Sequence, residues 1–399
     1  MFIQRSLEKT LINYGGKFSI VLVTGARQVG KSTLLRKTLP DAEYVTLDDP
    51  EDRLQAQKEP KLFLSRFKGQ TIIDEVQYAP ELFPLLKMRV DEDQRKGQFW
   101  LSGSQQFHMM KNVTESLAGR VAILNLAGLS TRELLGEPDA LPLWERLSKP
   151  VKALPVGDVF ERIWRGSYPA LHDGRGVIPE EFYPAYVQTY LQRDVRDLAR
   201  VGDESAFLLF MQLVASRTGQ LTNLEQIGKE ADISGTTVRN WLSILEASGI
   251  VVFVEPYHSN TNSRLVKARK MYFVDTGLAA WLSGWKTAES LARGVAAGAF
   301  LETYVVSEAM KGAFNRGQKS DFTFFRDHND REVDIVSMAG RTLVPIEVKT
   351  TSRPDGRTAR RLLIGDSLKL TQGDGAIVCM VEKIYPLSEQ VQAFPVGMV

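Results

Sequence analysis

The chain has 399 residues, 43% of them apolar and 25% charged, a globular composition too long for one ordinary core, so two or three domains are predicted. A net charge of only +2 excludes a protein that coats nucleic acid by charge alone, so any contact with DNA must be regional. A single cysteine, Cys379, excludes an intrachain disulfide framework and fits a reducing compartment; with no signal-peptide core at the N-terminus and no apolar run near the roughly 20 residues that span a bilayer, a cytoplasmic, membrane-free protein is expected.

The first informative element is the apolar run Ile20, Val21, Leu22, Val23, followed by Gly25, Ala26, Arg27, Gln28, Val29, Gly30, Lys31 and Ser32. This is a full G-x-x-x-x-G-K-[ST] loop between a strand and a helix that begins near Thr33, the context in which backbone N–H groups cradle phosphates. Residues 25–33 are therefore expected to bind nucleotide, with Lys31 on the phosphates and Ser32 on Mg²⁺.

Further short apolar runs follow at Tyr44 to Leu47, Thr71 to Asp74, Phe99 to Ser102 and Val121 to Leu126. Strands apolar on both faces belong in a parallel sheet covered by helices, so the fold class is α/β. The third run ends in Asp74 and Glu75 at the carboxyl edge, where such sheets place ligands. Asp74 is expected to hold the Mg²⁺ shell and Glu75 to accept a proton from the attacking water. The fourth ends in a polar tip, where Ser102 or Ser104 either orients that water or forms a plain turn. Arg120, before the last run, either brings positive charge to a γ-phosphate, in its own subunit or across an interface, or is a solvated surface arginine.

Taken together, these residues resemble the AAA-like branch of P-loop ATPases. The run Asp74-Glu75-Val76-Gln77 resembles in particular AAA-like ATPases of bacteria and archaea whose C-terminal half is a domain of unknown function. The resemblance implies ATP and Mg²⁺ as ligands and ATP hydrolysis as the activity. The absence of an Asn-Lys-x-Asp motif disfavours GTP.

Prolines 138, 142, 150 and 155 open a segment, through a Gly-Ser-Tyr-Pro turn at 166–169 and a helix containing Tyr190, Leu191, Arg193 and Asp194, that reads as a helical connector with little chemistry. Beyond it, Leu224, Ile227 and Ala231 lie at one helix spacing and Val238, Trp241, Leu242 and Leu245 at a second, with Ser234-Gly235 between them. With strands around 249–254 and 270–273, this predicts a winged helix-turn-helix. Arg264, Lys267, Arg269 and Lys270 would suit a phosphate backbone, and Arg239 and Asn240 are the few base-reading residues. A lid or oligomer contact is the competing use.

In the last segment Asp334 lies in Val333-Asp334-Ile335, and Glu347 and Lys349 in Ile346-Glu347-Val348-Lys349. Alternation along adjacent strands brings these three together, a pattern that binds a hard divalent cation through Asp334 and Glu347. It resembles the PD-(D/E)xK nuclease superfamily, with Glu302 on a preceding helix as accessory acid. No proline stands immediately before Asp334, a departure from that pattern. An active nuclease, a binding module and a chance strand pair all remain open, as does the role of Arg353, Arg357, Arg360 and Arg361, which suit an acidic partner or simply face solvent.

The expected organisation is an AAA-like ATPase domain (1–137), a helical connector (138–200), a winged helix (201–285) and a nuclease-like domain (286–399). The expected partners are ATP, DNA or another nucleic acid, or a protein, in a homo-oligomer.

Overall fold

The computed structural model describes residues 2–103, 116–147, 149–190, 204–257, 268–327, 329 and 331–399. Ser104, Leu191, Arg193, Asp194, Arg264 and Lys267 lie outside the described residues.

The N-terminal part is a five-stranded sheet built from β1 (Ile20–Thr24), β2 (Glu43–Thr46), β3 (Thr71–Asp74), β4 (Phe99–Gly103) and β5 (Val121–Asn125). The order is β2-β3-β4-β1-β5 and every pairing is parallel. Alternation along β1 explains the two-sided covering. Val21 and Val23 pack in one core with Leu7, Leu11, Leu34 and Leu35, whereas Ile20 and Leu22 pack in another with Phe63, Phe83 and Leu86. Both faces being buried, the carboxyl edge is left to bear function.

A middle part follows, with helices Val159–Arg165 and Pro179–Tyr190 and then Glu204–Ala215, Leu224–Ala231 and Gly235–Ala247. Ser234 caps the last of these by accepting from the Thr237 N–H, and Asp232, left-handed at φ 54°, ends the helix before it. Strands β6 (Gln220–Leu221), β7 (Val251–Val254) and β8 (Lys270–Phe273) form an antiparallel sheet in the order β6-β8-β7.

Helix Ala297–Phe314 then leads into a seven-stranded mixed sheet. Its strands are β9 (Thr323–Arg326), β10 (Glu332–Ala339), β11 (Thr342–Lys349), β12 (Thr371–Gln372), β13 (Gly375–Cys379), β14 (Tyr385–Pro386) and β15 (Val391–Pro395). The first three are antiparallel, and β11, β13 and β15 run parallel. The β9–β10 register shifts between Val333 and Val336, an irregularity beside Asp334.

One buried aspartate ties the parts together. Asp275, just past β8, accepts four hydrogen bonds, from Ser167 N (2.6 Å), Ser167 Oγ (2.7 Å), Tyr183 OH (2.8 Å) and Leu278 N (2.7 Å). Gly166 is required there, because at φ +79° a Cβ would lie 2.0 Å from the Tyr183 hydroxyl. Among the described residues no helix is long and apolar enough to cross a membrane.

Candidate functional site

The phosphate loop leaves the end of β1 and closes on Gly30, which caps helix Lys31–Thr38 in the left-handed region at φ 95°. Gly25 has no room for a side chain, since a Cβ would meet the Leu126 carbonyl at 2.0 Å. The Lys31 ammonium is buried and donates to the Gly25 and Ala26 carbonyls at 3.1 and 2.9 Å, which fixes it inside the loop. Arg27, Gln28 and Thr33 stand with Gly30, Lys31 and Ser32 on the wall of a cavity of about 800 Å³, while Ala26 and Val29 pack inward.

At the tip of β3, Asp74 gathers three hydroxyls. Ser32 Oγ donates to its Oδ1 at 2.9 Å, Tyr44 OH to its Oδ2 at 2.8 Å, and Ser102 Oγ also to Oδ1. Burial, then the Asp74 charge, pushes the Tyr44 hydroxyl up to about 12, so it remains a donor. Ser102 is thus engaged with Asp74. Glu75 turns onto the same cavity as the loop, in the left-handed region at φ 55°, and accepts from Gln77 Nε2. A non-glycine residue held in that region is costly, and such strain gathers at functional sites.

Three residues that pattern reading missed complete this site. Tyr44 is the first. Buried Arg5 is the second: it pairs with Glu133 at 3.1 Å and donates to the carbonyls of Val29 (2.8 Å) and Ala127 (2.7 Å), bracing the loop against the segment after β5. Arg175 is the third, standing on the cavity wall with Pro169, Ala170 and Asp173, and bonded to Asp173 at 2.6 Å. The segment expected to be a connector of little chemistry therefore forms one wall of the nucleotide cavity. Gly-Ser-Tyr-Pro was the only local signal, and it reads as a turn.

Arg120 needs a correction. It precedes β5, which pairs with β1 from Ile20↔Val121 onward, so it sits at the amino edge, about 16 Å of strand from the loop. It pairs there with Asp91 at 2.5 and 3.0 Å. No route leads from it to the γ-phosphate of its own subunit.

The C-terminal acids also meet, but around a different cation. Asp334 and Glu347 lie on the adjacent strands β10 and β11, Val348 N donates to Asp334 Oδ2 at 2.9 Å, and Lys349 Nζ pairs with Glu347 Oε1 at 2.5 Å. Lys270 of β8 reaches in, with Nζ 2.8 Å from Glu302 Oε1, 3.3 Å from Asp334 Oδ1 and in contact with Glu332. Tyr272 OH donates to Glu302 Oε1 at 2.6 Å. Desolvation works against the Lys270 charge, yet Glu302, Asp334 and Glu332 outweigh it and raise its pKa. Burial, followed by the Asp334 charge, raises the Glu302 and Glu347 carboxyls above the carboxylate range.

Two expectations change accordingly. Among the described residues no group of three or more His, Cys, Asp or Glu is arranged to hold a metal ion. The divalent cation expected at Asp334 and Glu347 does not fit these residues as folded, because an ammonium stands among the acids. Nor does Lys270 belong to a basic strip for DNA. It is buried, and its neighbour Arg269 lies 4.0 Å over the Phe253 ring, 3.8 Å from Glu255. By contrast Arg353, Arg357, Arg360 and Arg361 are all exposed.

Comparison with known proteins agrees with the N-terminal geometry. Residues 17–135 match the family model described as an AAA domain, and residues 156–289 and 297–399 match two domains of unknown function, DUF8612 and DUF4143. The Walker-type ATPase PABY2304 of Pyrococcus abyssi superposes with a TM-score of 0.44 at 16% identity, covering 70% of this chain and 96% of that one. Uncharacterized proteins Rv2008c of Mycobacterium tuberculosis and Mb2031c of Mycobacterium bovis are each 30% identical over 387 residues, 95% of this chain and 80% of the relative. The chain belongs to the family of these mycobacterial proteins, and its first domain is an AAA-like P-loop ATPase domain.

Proposed function

We propose that the protein binds ATP in the cavity above the phosphate loop and hydrolyses it to ADP and phosphate. The observation that carries this is the meeting of the Ser32 hydroxyl with the Asp74 carboxylate at 2.9 Å, with Glu75 on the same cavity wall as the loop. Two hard oxygen donors, Asp74 at the tip of β3 and Ser32 in the first turn of helix Lys31–Thr38, suit Mg²⁺, which supplies charge neutralisation on the phosphates when bound. The helix N-terminus and Lys31 bind the phosphates, and Gly25 and Gly30 let the backbone approach them. Glu75 takes a proton from water as the water oxygen bonds to the γ-phosphorus. The bond from that phosphorus to the β–γ bridging oxygen breaks, and ADP leaves.

Phosphate release from ATP, measured beside GTP, tests the reading. Glu75→Gln should lower turnover at least 100-fold while fluorescent-ATP binding persists. Unchanged turnover would remove Glu75 from the mechanism.

The domain limits 1–137, 138–200, 201–285 and 286–399 are part of the same proposal, with the third domain a winged helix. The β6-β8-β7 sheet beside Gly235–Ala247 supports it, and Thr236, Arg239, Asn240 and Ser243 are exposed along that helix. A nucleic-acid partner would raise the ATPase rate when DNA or RNA is added, with strong salt dependence, whereas a protein partner would show as stimulation by extract alone. Arg120 has a role in this account only across an interface between copies. The lysine among the C-terminal acids favours a module that binds without cutting.

A further inference from the structure

Another cavity, of about 210 Å³, lies apart from the phosphate loop, where the first and last parts of the chain meet. Helix Leu7–Gly15 contributes Lys9, the segment after β5 contributes Arg132, Asp139 and Arg146, and helix Ala297–Phe314 contributes Glu308, with Arg316 just past its end. Four cationic side chains thus face two acidic ones, and both acids already have partners. Asp139 pairs with Lys9 at 2.7 Å, while Glu308 accepts from Lys311 at 2.9 Å and from the Thr131 N–H at 2.7 Å. Arg132 is satisfied too, by Glu137 at 2.8 Å and by the Val399 and Gly397 carbonyls at 3.2 and 3.1 Å.

Arg146 is not satisfied. It is only 4% exposed, and its Nε and Nη1 have no hydrogen-bond partner. Burial, and after it the Arg132 charge, pushes its guanidinium down to about 10, so it stays charged at neutral pH against both effects. Arg316, half-buried on the same cavity, reaches Gln318 Oε1 with its Nε at 3.5 Å, a long contact. A buried guanidinium without acceptors is costly, and such a group in a folded protein calls for an occupant beside it. Water would accept its hydrogen bonds but leave the crowding of Arg132 and Arg146 uncompensated, whereas an anion answers both. The planar fork of arginine matches carboxylate and phosphate oxygens.

We propose that this cavity binds a small oxyanion, the phosphate or carboxylate group of a low-molecular-weight metabolite, with Arg146 and Arg316 as its ligands. The volume sets the size of the occupant, since sites for drug-sized ligands begin at roughly 300 Å³. A whole nucleotide therefore belongs in the cavity above the phosphate loop and not here. The residues are separate from that loop, and the proposal stands independently of ATP hydrolysis.

Calorimetric titration of the full chain with inorganic phosphate and, separately, with malonate, at constant ionic strength and without nucleotide, tests it. Because the phosphate loop also attracts phosphate, each titration is repeated on Lys31→Ala. One anion per chain should bind to the parent and to Lys31→Ala alike, and Arg146→Met and Arg316→Met should each weaken that binding about tenfold or more. The anion should also raise the melting temperature of the parent and leave that of Arg146→Met unmoved. Tighter binding of phosphate than of malonate would assign the site to phosphate monoesters, and the reverse order to carboxylates. Absence of anion binding to Lys31→Ala would overturn the proposal. So would binding that a folded Arg146→Met leaves unchanged or, should that variant not fold, binding that Arg316→Met leaves unchanged.

Discussion

Asp74 shows how a single carboxylate can be set by its hydroxyl neighbours. Of its three donors, Tyr44 is the one that no motif includes and the one whose removal leaves the loop and strand tips intact. Tyr44→Phe is expected to raise the Mg²⁺ concentration for half-maximal turnover about tenfold with little change in melting temperature, because it loosens the orientation of a ligand without deleting it. His172 offers a pH-dependent test. Burial, and after it the Arg162 charge, pushes its imidazole down to about 4, with Nε2 2.8 Å from the Gly166 carbonyl. The unfolded chain takes up this proton near 6.5 and the folded chain only near 4, so acidification through that interval favours unfolding. At pH 5 the loss is at most about 2 kcal/mol. Denaturant unfolding of His172→Gln should therefore show a shallower fall in stability between pH 7 and pH 5 than the parent, and parallel curves would contradict the buried neutral imidazole.

At the scale of elements, Asp275 is the joint whose loss should be felt most. All four of its partners donate, so Asp275→Asn turns an amide donor toward donors and leaves buried groups unpaired. A cost of about 2–4 kcal/mol in unfolding free energy is expected, whereas a neutral effect would show that the joint bears little load. The strands of the first sheet, the phosphate loop and the Asp74-Glu75 tip were legible in the sequence, because apolar runs on both faces and a glycine-spaced loop are local signals. Lys270 was not. Read by sign it joined Arg264, Lys267 and Arg269 in a basic strip, and only the position of β8 shows it turned inward onto acids some 30 to 60 residues further along. Arg5 and Arg175 were hidden for the same reason, since each gains its role from contacts distant in sequence. Arg120 was read from its place before the last strand, and only the parallel pairing of that strand with β1 shows that this place is the amino edge.

At the scale of the molecule, the nucleotide cavity draws its walls from both the first sheet and the middle helices, with Pro169, Ala170 and Arg175 facing the loop. The middle part in turn sends β8 to the C-terminal acids through Lys270, and Asp275, just past the end of that strand, holds Ser167 of the Gly166–Pro169 turn. The central claim nevertheless rests on chemistry confined to the phosphate loop and the tip of β3. The direct measurement is steady-state ATP turnover of the parent, Lys31→Ala and Asp334→Ala under one condition. The expected result is turnover reduced at least 100-fold by Lys31→Ala and unchanged, within about twofold, by Asp334→Ala. Equal turnover by the Lys31 variant and the parent would contradict the account.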